Sequence, residues 1–288
     1  MNFFKALFGG KEETSEEKKQ EEQARNFDVL KYDGVKALHM NQWQQAIKCF
    51  THALEIREDL ECRDYLSQAF IQNNELLPAF EQLRKLAEAQ PDNEEIYLRM
   101  AHVAYMMEDY SAMAHACEKA LLIDKDDPQV LYLYAWACRG QGDRTNAVAM
   151  LTKAITLRED YGDAHLLRGE ILLETNDVEG AAQDADYLVE HASENEDALL
   201  LKARVLEAQE MHDEAVGIYN KVIELNPFCI AAFKERGAIR LGLGDKRGAE
   251  EDLNAVLEID PVHNEGTGTE DIRQKTEDAY RNISPLGL

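Results

Sequence analysis

The stretch "GAIRLGLGDKRGAEEDLNAVLEIDP", residues 237–261, holds the pattern from which the fold of this 288-residue chain can be inferred. A small residue opens it, a glycine-rich turn lies near its middle, and a proline ends it. A related stretch, "GEILLETNDVEGAAQDADYLVEHAS", begins 68 residues earlier, at Gly169. Apolar residues recur at helical spacing on both sides of each turn. We therefore interpret both stretches as copies of one helical hairpin.

Three sets of positions keep a common register along the chain. A small residue near the start of each second helix recurs after 33 and then always 34 residues, at Ala46, Ala79, Met113, Ala147, Ala181, Ala215 and Ala249. Twelve residues earlier stand Gly34, Ser67, Ala101, Ala135, Gly169, Ala203 and Gly237. Twelve residues later stand Glu58, Pro91, Lys125, Glu159, Ser193, Pro227 and Pro261. Small side chains allow two helices to cross closely, and proline ends a helix. The pattern predicts stacked hairpins that bury their apolar faces against each other.

The register of these positions resembles the tetratricopeptide repeat. A larger residue usually follows the small residue of the second helix by four positions in that family, and here it is loosely matched by Phe50, Leu83, Cys117, Leu151, Ala185, Tyr219 and Leu253. The resemblance implies an all-α, right-handed superhelical solenoid of about seven helix-turn-helix repeats over residues 27–263. Met113, Ala185 and a one-residue deletion between the first two repeats depart from the family pattern.

The charge of the chain limits its partners. The sequence holds 31 Lys and Arg against 56 Asp and Glu, a formal net charge of −25. Such a surface repels phosphate backbones and anionic membranes, so we expect no nucleic-acid binding. The five cysteines form no CxxC pair, which is typical of reduced thiols. Without an apolar run of membrane-spanning length or a secretory signal, we predict a cytoplasmic protein.

The two ends of the chain differ from the repeats. Phe3, Phe4, Leu7 and Phe8 would share one helical face, ahead of a charged arm that completes residues 1–26. Such an apolar tip favours burial, and three alternatives are open: packing on the repeats, docking to a partner, or, least favoured, contact with a membrane surface. Residues 264–288 carry an apolar stripe, which predicts a helix that caps the last repeat, followed by a tail.

The sequence holds no recognisable catalytic motif. The stretch "GLGDKRG", residues 242–248, follows a helix and lies in a repeat turn, whereas a nucleotide-binding glycine loop follows a strand. The eight histidines form no HExxH or other zinc-binding pattern, and no serine or cysteine nucleophile has a recognisable setting. We predict a protein that is not an enzyme and has no cofactor, metal site or small-molecule substrate.

The family resemblance also implies which side chains face a partner. In that family the first helix of each repeat lines the concave face, through positions that include 2, 5, 9 and 12. Position 2 forms a largely acidic row, which would favour basic residues in the partner: Asp28, Glu61, Glu95, Gln129, Asp163, Asp197 and Ala231. The predicted partner-binding residues at the other positions are Leu98, His102, Tyr105, Tyr132, Trp136, Arg139, Glu170, Leu173 and Arg204. Aromatic and arginine side chains often anchor protein contacts.

Two tryptophans have competing interpretations. Trp136 can serve a partner as part of an aromatic patch, which we define as His102, Tyr105, Tyr132, Trp136 and Arg139, or it can pack on the first helix of the next repeat. Trp43 lies just before Ala46, where the family often has an aromatic residue, so we predict a structural role for it.

A carboxylate clamp is a known specialisation of the family. Co-chaperone members grip the C-terminal carboxylate of a heat-shock chaperone with Lys, Asn, Asn, Lys and Arg. The corresponding positions here are Lys31, Val35, Tyr65, Glu95 and Arg99, of which only two match. Because Glu95 would repel a carboxylate, we reject the carboxylate clamp as the main mode of binding.

We therefore predict an adaptor that binds a peptide or helix of a partner protein in its concave groove. The alternative is an assembly or membrane-tethering subunit that acts through the apolar segment "FFKALF", residues 3–8.

Overall fold

The computed structural model describes residues 15–260, and every regular element in this range is an α-helix. The helices alternate along the chain between the first and second helices of the repeats. The first helices are α1 Ser15–His39, α3 Leu60–Gln72, α5 Glu94–Met106, α7 Pro128–Gly140, α9 Gly162–Glu174, α11 Glu196–Ala208 and α13 Ile230–Gly242. The second helices are α2 Trp43–Ile56, α4 Leu76–Ala89, α6 Tyr110–Ile123, α8 Arg144–Leu157, α10 Val178–His191, α12 His212–Leu225 and α14 Lys246–Ile259. The prediction of an all-α fold of repeated hairpins is confirmed.

The chain divides into two compact units, Met1–Asp143 and Arg144–Leu288, which we call unit 1 and unit 2. Unit 1 contains α1 to α7, and unit 2 contains α8 to α14. Within each unit every helix packs against the helix that follows it in the chain. Each unit is therefore a stack of hairpins in which neighbouring helices share their apolar faces.

The turn inside each hairpin uses one left-handed residue at the same repeat position. These residues are Asn41, Asn74, Glu108, Gly142, Asn176, Glu210 and Gly244, with φ between 56° and 85°. Gly and Asn adopt this conformation at low cost, whereas it is uncommon for glutamate, as at Glu108 and Glu210. Aspartates cap several second helices, since Asp109, Asp177 and Asp245 each accept a hydrogen bond from the first turn of the following helix.

The small residues predicted at the helix crossings lie in the core. Ala46, Ala79, Met113, Ala147, Ala181 and Ala215 have no exposed surface, so Met113 fits the place of an alanine without reaching solvent. The one-residue deletion falls in the loop between α2 and α3, where three residues join the helices instead of the usual four.

Helix α1 is longer than the other first helices. It begins at Ser15, twelve residues before repeat one begins at Phe27, and has 25 residues where the others have 13. The charged arm is therefore helical from Ser15 onward and continues without a break into the first repeat. The apolar tip at residues 3–8 and the predicted capping helix after residue 263 lie outside the described residues. Among the helices of residues 15–260, none is both long enough and apolar enough to cross a membrane.

Candidate functional site

The aromatic patch lies on α5 and α7, two neighbouring first helices of unit 1. The rings of Tyr105 and Trp136 meet edge to face, with centroids 5.6 Å apart and planes at 65°. The guanidinium of Arg139 lies 5.4 Å from the Trp136 ring centroid, within the range of a cation–π contact. Tyr105 is 42% exposed although it contacts Trp136. The patch thus presents a supported aromatic surface to solvent.

The remaining predicted residues of unit 1 join the same surface. Leu98, Tyr132 and Trp136 are half-buried and pack against the apolar core of unit 1. His102 is exposed, and its Nδ1 lies 2.8 Å from the carbonyl oxygen of Leu98. Because a carbonyl only accepts hydrogen bonds, Nδ1 carries the proton in this contact. The structure therefore brings six of the nine predicted residues together.

A second concavity in unit 1 was missed by the sequence analysis. It measures about 460 Å³ and is lined by side chains of α1, α3 and the start of α2, among them Val35, Leu38, Trp43, Tyr65 and Ile71. Trp43 is half-buried at its edge, so it contributes both to packing and to this surface. The available signal was the set of apolar residues Val35, Leu38 and Ile71 at repeat positions 9 and 12 of the first two repeats, where only Gln68 is polar.

The two cations that match the carboxylate clamp are already paired. The ammonium of Lys31 lies 2.6 Å from Glu61 and 3.2 Å from Asp59. The hydrogen bond from Lys31 holds the pKa of Glu61 below its ordinary value. Arg99 pairs with Asp64 and donates a 2.5 Å hydrogen bond to Ser67. Neither cation presents an uncompensated charge, which agrees with rejecting the clamp as the main mode of binding.

The predicted residues of unit 2 have a different setting. Leu173 packs against the apolar core around Ala181 and Leu201. Arg204 forks onto Glu235 of the next repeat, with Nε–Oε2 and Nη2–Oε1 distances of 3.0 and 2.8 Å. Thus Arg204, which the sequence analysis assigned to a partner, is bound to a carboxylate of its own chain.

The Arg204–Glu235 pair belongs to a partly buried charged cluster. The hydroxyl of Tyr219, which has no exposed surface, donates to Glu235 at 2.8 Å. Burial, followed by the neighbouring charge of Glu235, raises the pKa of Glu207. Burial opposes the charged form of Arg204, but its hydrogen bonds to Glu235 raise its pKa overall. With Glu170 also acting on Arg204 electrostatically, carboxylates outnumber cations in this cluster.

The acidic row lies at the starts of the first helices α3, α5, α7, α9 and α11, and its first member, Asp28, lies within the longer α1. Its charged and amide members are all exposed: Asp28, Glu61, Glu95, Gln129, Asp163 and Asp197. Glu61 is partly neutralised by Lys31. The row gives the helix starts a negative potential, which would attract cationic groups.

Unit 2 contains buried ion pairs that the sequence analysis did not identify. Asp184 is 1% exposed and contacts Arg168 at 2.7 Å and His165 at 2.6 Å. Asp252 is also 1% exposed and pairs with Arg236 and Arg240. In both hairpins the arginine precedes the aspartate by 16 residues, and this repetition was the signal that could have revealed them.

The described residues offer little to nucleophilic or metal chemistry. All five cysteines are buried and unpaired, and burial raises the pKa of Cys62 and Cys117 to about 12. In residues 15–260 no three His, Cys, Asp or Glu side chains converge on a possible metal position. The stretch 242–248 spans the turn between α13 and α14, where Gly244 is left-handed and Asp245 caps α14, so it is a helical turn and not a loop after a strand.

Comparison with known sequences gives a family. Three sequence profiles, each described as tetratricopeptide repeat, match residues 37–64, 132–196 and 197–228. DnaJ homolog subfamily C member 3 of Gallus gallus is 22% identical over 293 residues, which cover 97% of this chain and 52% of the relative. The chain therefore spans about half the length of that relative.

Solved structures share the arrangement of helices. A tetratricopeptide repeat protein from Parabacteroides merdae has a TM-score of 0.67 at 13% identity, covering 88% of this chain and 98% of its own. PilW, a type IV pilus biogenesis factor, has a TM-score of 0.63 at 15% identity, covering 75% and 97%. YrrB, described as having an unusual peptide-binding site, has a TM-score of 0.53 at 19% identity, covering 68% and 97%. The profile matches and the common helix register identify this chain as a tetratricopeptide-repeat protein.

Proposed function

We propose that this chain is a non-catalytic adaptor that binds a peptide or helix of a partner protein on the aromatic patch of unit 1. The repeat family supports a protein-interaction scaffold in general terms. The observation that carries the finer proposal is the exposure of Tyr105, a large aromatic side chain held against Trp136. Aromatic side chains of this kind provide much contact area at a small cost in conformational entropy.

The patch is organised before a partner arrives. Tyr105 and Trp136 fix each other, and Arg139 covers part of the Trp136 ring. Because these side chains lie on two packed helices, binding orders little of the scaffold, and less of the interaction energy is lost. YrrB offers a precedent for peptide binding on a related fold.

The exposed acidic row adds a charge preference. Glu95 lies at the start of the helix that carries Tyr105 and is exposed. A partner with an apolar anchor and nearby Lys or Arg residues would complement this surface. Its association rate would fall as salt increases, because screening weakens attraction between exposed charges.

Site-specific photocrosslinking in the native cell tests the proposal. A photoreactive phenylalanine at Tyr105 should capture a defined partner, whereas the same group at Leu122 should not. Leu122 is the matched control because it is 80% exposed on the second helix α6 of the same unit. The captured partner is then purified, and its affinity for the chain is measured.

The affinity of that partner provides the quantitative test. Replacing Tyr105 or Trp136 with Ala should weaken binding about 30-fold, since central aromatic anchors contribute about 2 kcal/mol. Leu122→Ala should leave affinity unchanged, and circular dichroism should show intact helices in all three variants. Equal crosslinking at Tyr105 and Leu122, or unchanged affinity in both aromatic variants, would show that the partner binds elsewhere.

A further inference from the structure

Repeat position 3 distinguishes the first repeat from the other six. In those six repeats the side chain at this position is 0–4% exposed, at Cys62, Ile96, Val130, Ala164, Ala198 and Ala232. Val29 holds the same position on α1 and is 52% exposed. The difference shows that six repeats have a covering element at this position and that the described part of the first repeat does not.

Tyr32, one helical turn further along α1, is likewise more exposed than its counterparts in the other repeats. It is 70% exposed at repeat position 6, where the other repeats have buried or half-buried residues: Tyr65, Arg99, Leu133, Leu167, Leu201 and Glu235. Val29 and Tyr32 together form an uncovered apolar surface, which we call the α1 face. A shallow concavity of about 940 Å³ lies along it, lined also by Ala24 and by the charged residues Glu21, Glu22, Arg25 and Asp28.

In the later repeats the covering element is the second helix of the preceding repeat. Helix α6 packs on α7 in unit 1, and α10 packs on α11 in unit 2. Side-chain contacts fasten these pairs, as when the Tyr134 hydroxyl donates to Glu118 or Lys202 pairs with Asp186. The covering helix is always the chain segment directly before the covered helix. No described residue precedes α1, so any cover of this face comes from the undescribed residues 1–14 or 261–288 or from another molecule.

Residues 3–8 have the chemistry of such a cover. Phe3, Phe4, Leu7 and Phe8 repeat at helical spacing, as the apolar residues of the second helices do. Gly9 and Gly10 follow, and glycine accepts extended as well as turn conformations of the backbone. A contiguous set of aromatic side chains is unfavourable in water, and the α1 face is an apolar surface of the same chain.

The length of the intervening chain permits this contact. Along α1, Val29 lies about 21 Å from Ser15. The residues between Phe8 and Ser15 span at most about 23 Å when extended, which brings Phe8 to Val29 and residues 3–7 beyond it. Position 10 of the first repeat is the exposed Lys36, whereas the other repeats have buried apolar residues there. The apolar surface on α1 is therefore short, and its length matches what a segment of six residues can cover.

We propose that residues 3–8 pack on the α1 face of their own chain and take the place of the missing preceding helix. The segment then closes the open end of the first repeat, and the aromatic side chains and Val29 and Tyr32 cover each other. This inference is independent of the aromatic patch and its partner, because it concerns a surface of α1, whereas the patch lies on α5 and α7.

Disulfide trapping in the full-length chain tests the contact. The paired variant Phe4→Cys, Tyr32→Cys should form an intrachain disulfide at least about tenfold faster than the control pair Phe4→Cys, Leu122→Cys. Both second positions are exposed in unit 1, and the native cysteines are buried. A third pair, Phe4→Cys with Tyr65→Cys, monitors the concavity around Trp43. Similar rates at Tyr32 and Leu122, faster trapping at Tyr65, or a concentration-dependent interchain disulfide would each overturn the proposal.

Hydrogen exchange provides a second test without cysteine substitutions. Deleting residues 2–10 should accelerate amide exchange in residues 25–36 about tenfold, because the α1 face loses its cover. Exchange in α5 and α6 should not change and serves as the internal control. Unchanged exchange in residues 25–36 would contradict the proposal even if the cysteine variants failed to fold.

Discussion

In the third hairpin, in unit 1, Met100 and Ala116 occupy repeat positions 7 and 23, and both are buried in an apolar core. In the fifth hairpin, in unit 2, the same positions hold Arg168 and Asp184, which form an ion pair. The seventh hairpin repeats the ionic solution with Arg236 and Asp252. The same two repeat positions thus hold either an apolar pair or an ion pair. A charged residue is buried at these positions where its oppositely charged partner is also present.

The partner-facing surfaces of the two units differ in a related way. Unit 1 presents Tyr105 to solvent, supported by Trp136. In unit 2 the predicted partner-binding residue Arg204 is used internally, because its guanidinium is paired with Glu235. Since a satisfied ion pair gains little from a new partner, this difference favours unit 1 as the binding surface.

Removing one member of a buried ion pair should have the largest effect. Asp184→Ala leaves Arg168 and His165 without their shared carboxylate, and we expect a loss of about 3–5 kcal/mol in the free energy of unfolding. Urea unfolding followed by circular dichroism measures it. Asp186→Ala, on the same helix, removes an exposed pair with Lys202 and should cost about 0.5 kcal/mol or less.

A double substitution tests whether an apolar pair, as in unit 1, can replace the Arg168–Asp184 ion pair of unit 2. Arg168→Met with Asp184→Ala recreates the Met100–Ala116 pair and should recover most of the stability that Asp184→Ala loses, because no unpaired arginine remains. If the double variant is no more stable than Asp184→Ala, the two hairpins are not interchangeable in this respect.

Substituting a glycine at a close helix crossing should have the next largest effect on stability. A Cβ on Gly34 would lie 2.7 Å from the ring of Phe50, which has no exposed surface, so Gly34→Ala should destabilise the chain by about 1–3 kcal/mol. Gly217 in α12 has no atom within 4 Å of the same position. Gly217→Ala should therefore stabilise the chain by about 0.5–1 kcal/mol through helix propensity. Thermal unfolding should shift in opposite directions, and shifts of equal sign would refute the crossing argument.

Loss of one buried hydroxyl should have a smaller effect. Tyr219→Phe removes the hydrogen bond to Glu235 in unit 2 and should cost about 1 kcal/mol. The counterpart in unit 1 is Tyr134→Phe, which removes a 3.2 Å hydrogen bond to the exposed Glu118. It should cost less than about 0.5 kcal/mol, because water can replace the contact. Paired thermal melts compare the two, and an equal loss would show that burial of the cluster contributes nothing.

The smallest predicted effect is a gain in stability that depends on pH. Burial, followed by the nearby Asp127, Asp124 and Glu95 charges, raises the pKa of Glu94 above its ordinary 4.5. The ionised form is therefore unfavourable in the folded state, and Glu94→Gln should stabilise the chain at pH 7 by about 0.5 kcal/mol. The gain should vanish as the pH falls below 4.5, where Glu94 is protonated in both states. A gain that persists at pH 4 in thermal melts would exclude this cause.

The helical register was predictable because local signals set it. Each second helix begins three residues before the small residue that the sequence analysis used, from Trp43 before Ala46 to Lys246 before Ala249. Turn glycines, asparagines and aspartates act within a few residues of their own position, so their spacing was enough to locate the hairpins.

The pairing of charges was much less predictable. Glu235 lies 31 residues after Arg204, and Glu61 lies 30 residues after Lys31, each on the next repeat. Several acidic residues occupy similar positions, so the sequence alone could not identify the carboxylate that each cation selects. Val29 could be recognised as unusually exposed only once the burial of the same position in the six other repeats was known.

The ionic hairpins also bear on how such a chain can change in length. Arg168 and Arg236 are 68 residues apart, and so are Asp184 and Asp252. A genetic deletion of residues 169–236 would join Arg168 to Gly237 in the original phase and place Arg168 opposite Asp252. The resulting hairpin would combine Arg168 of the fifth repeat with Asp252 of the seventh. A loss of two repeats by recombination would therefore leave no unpaired charge in its interior.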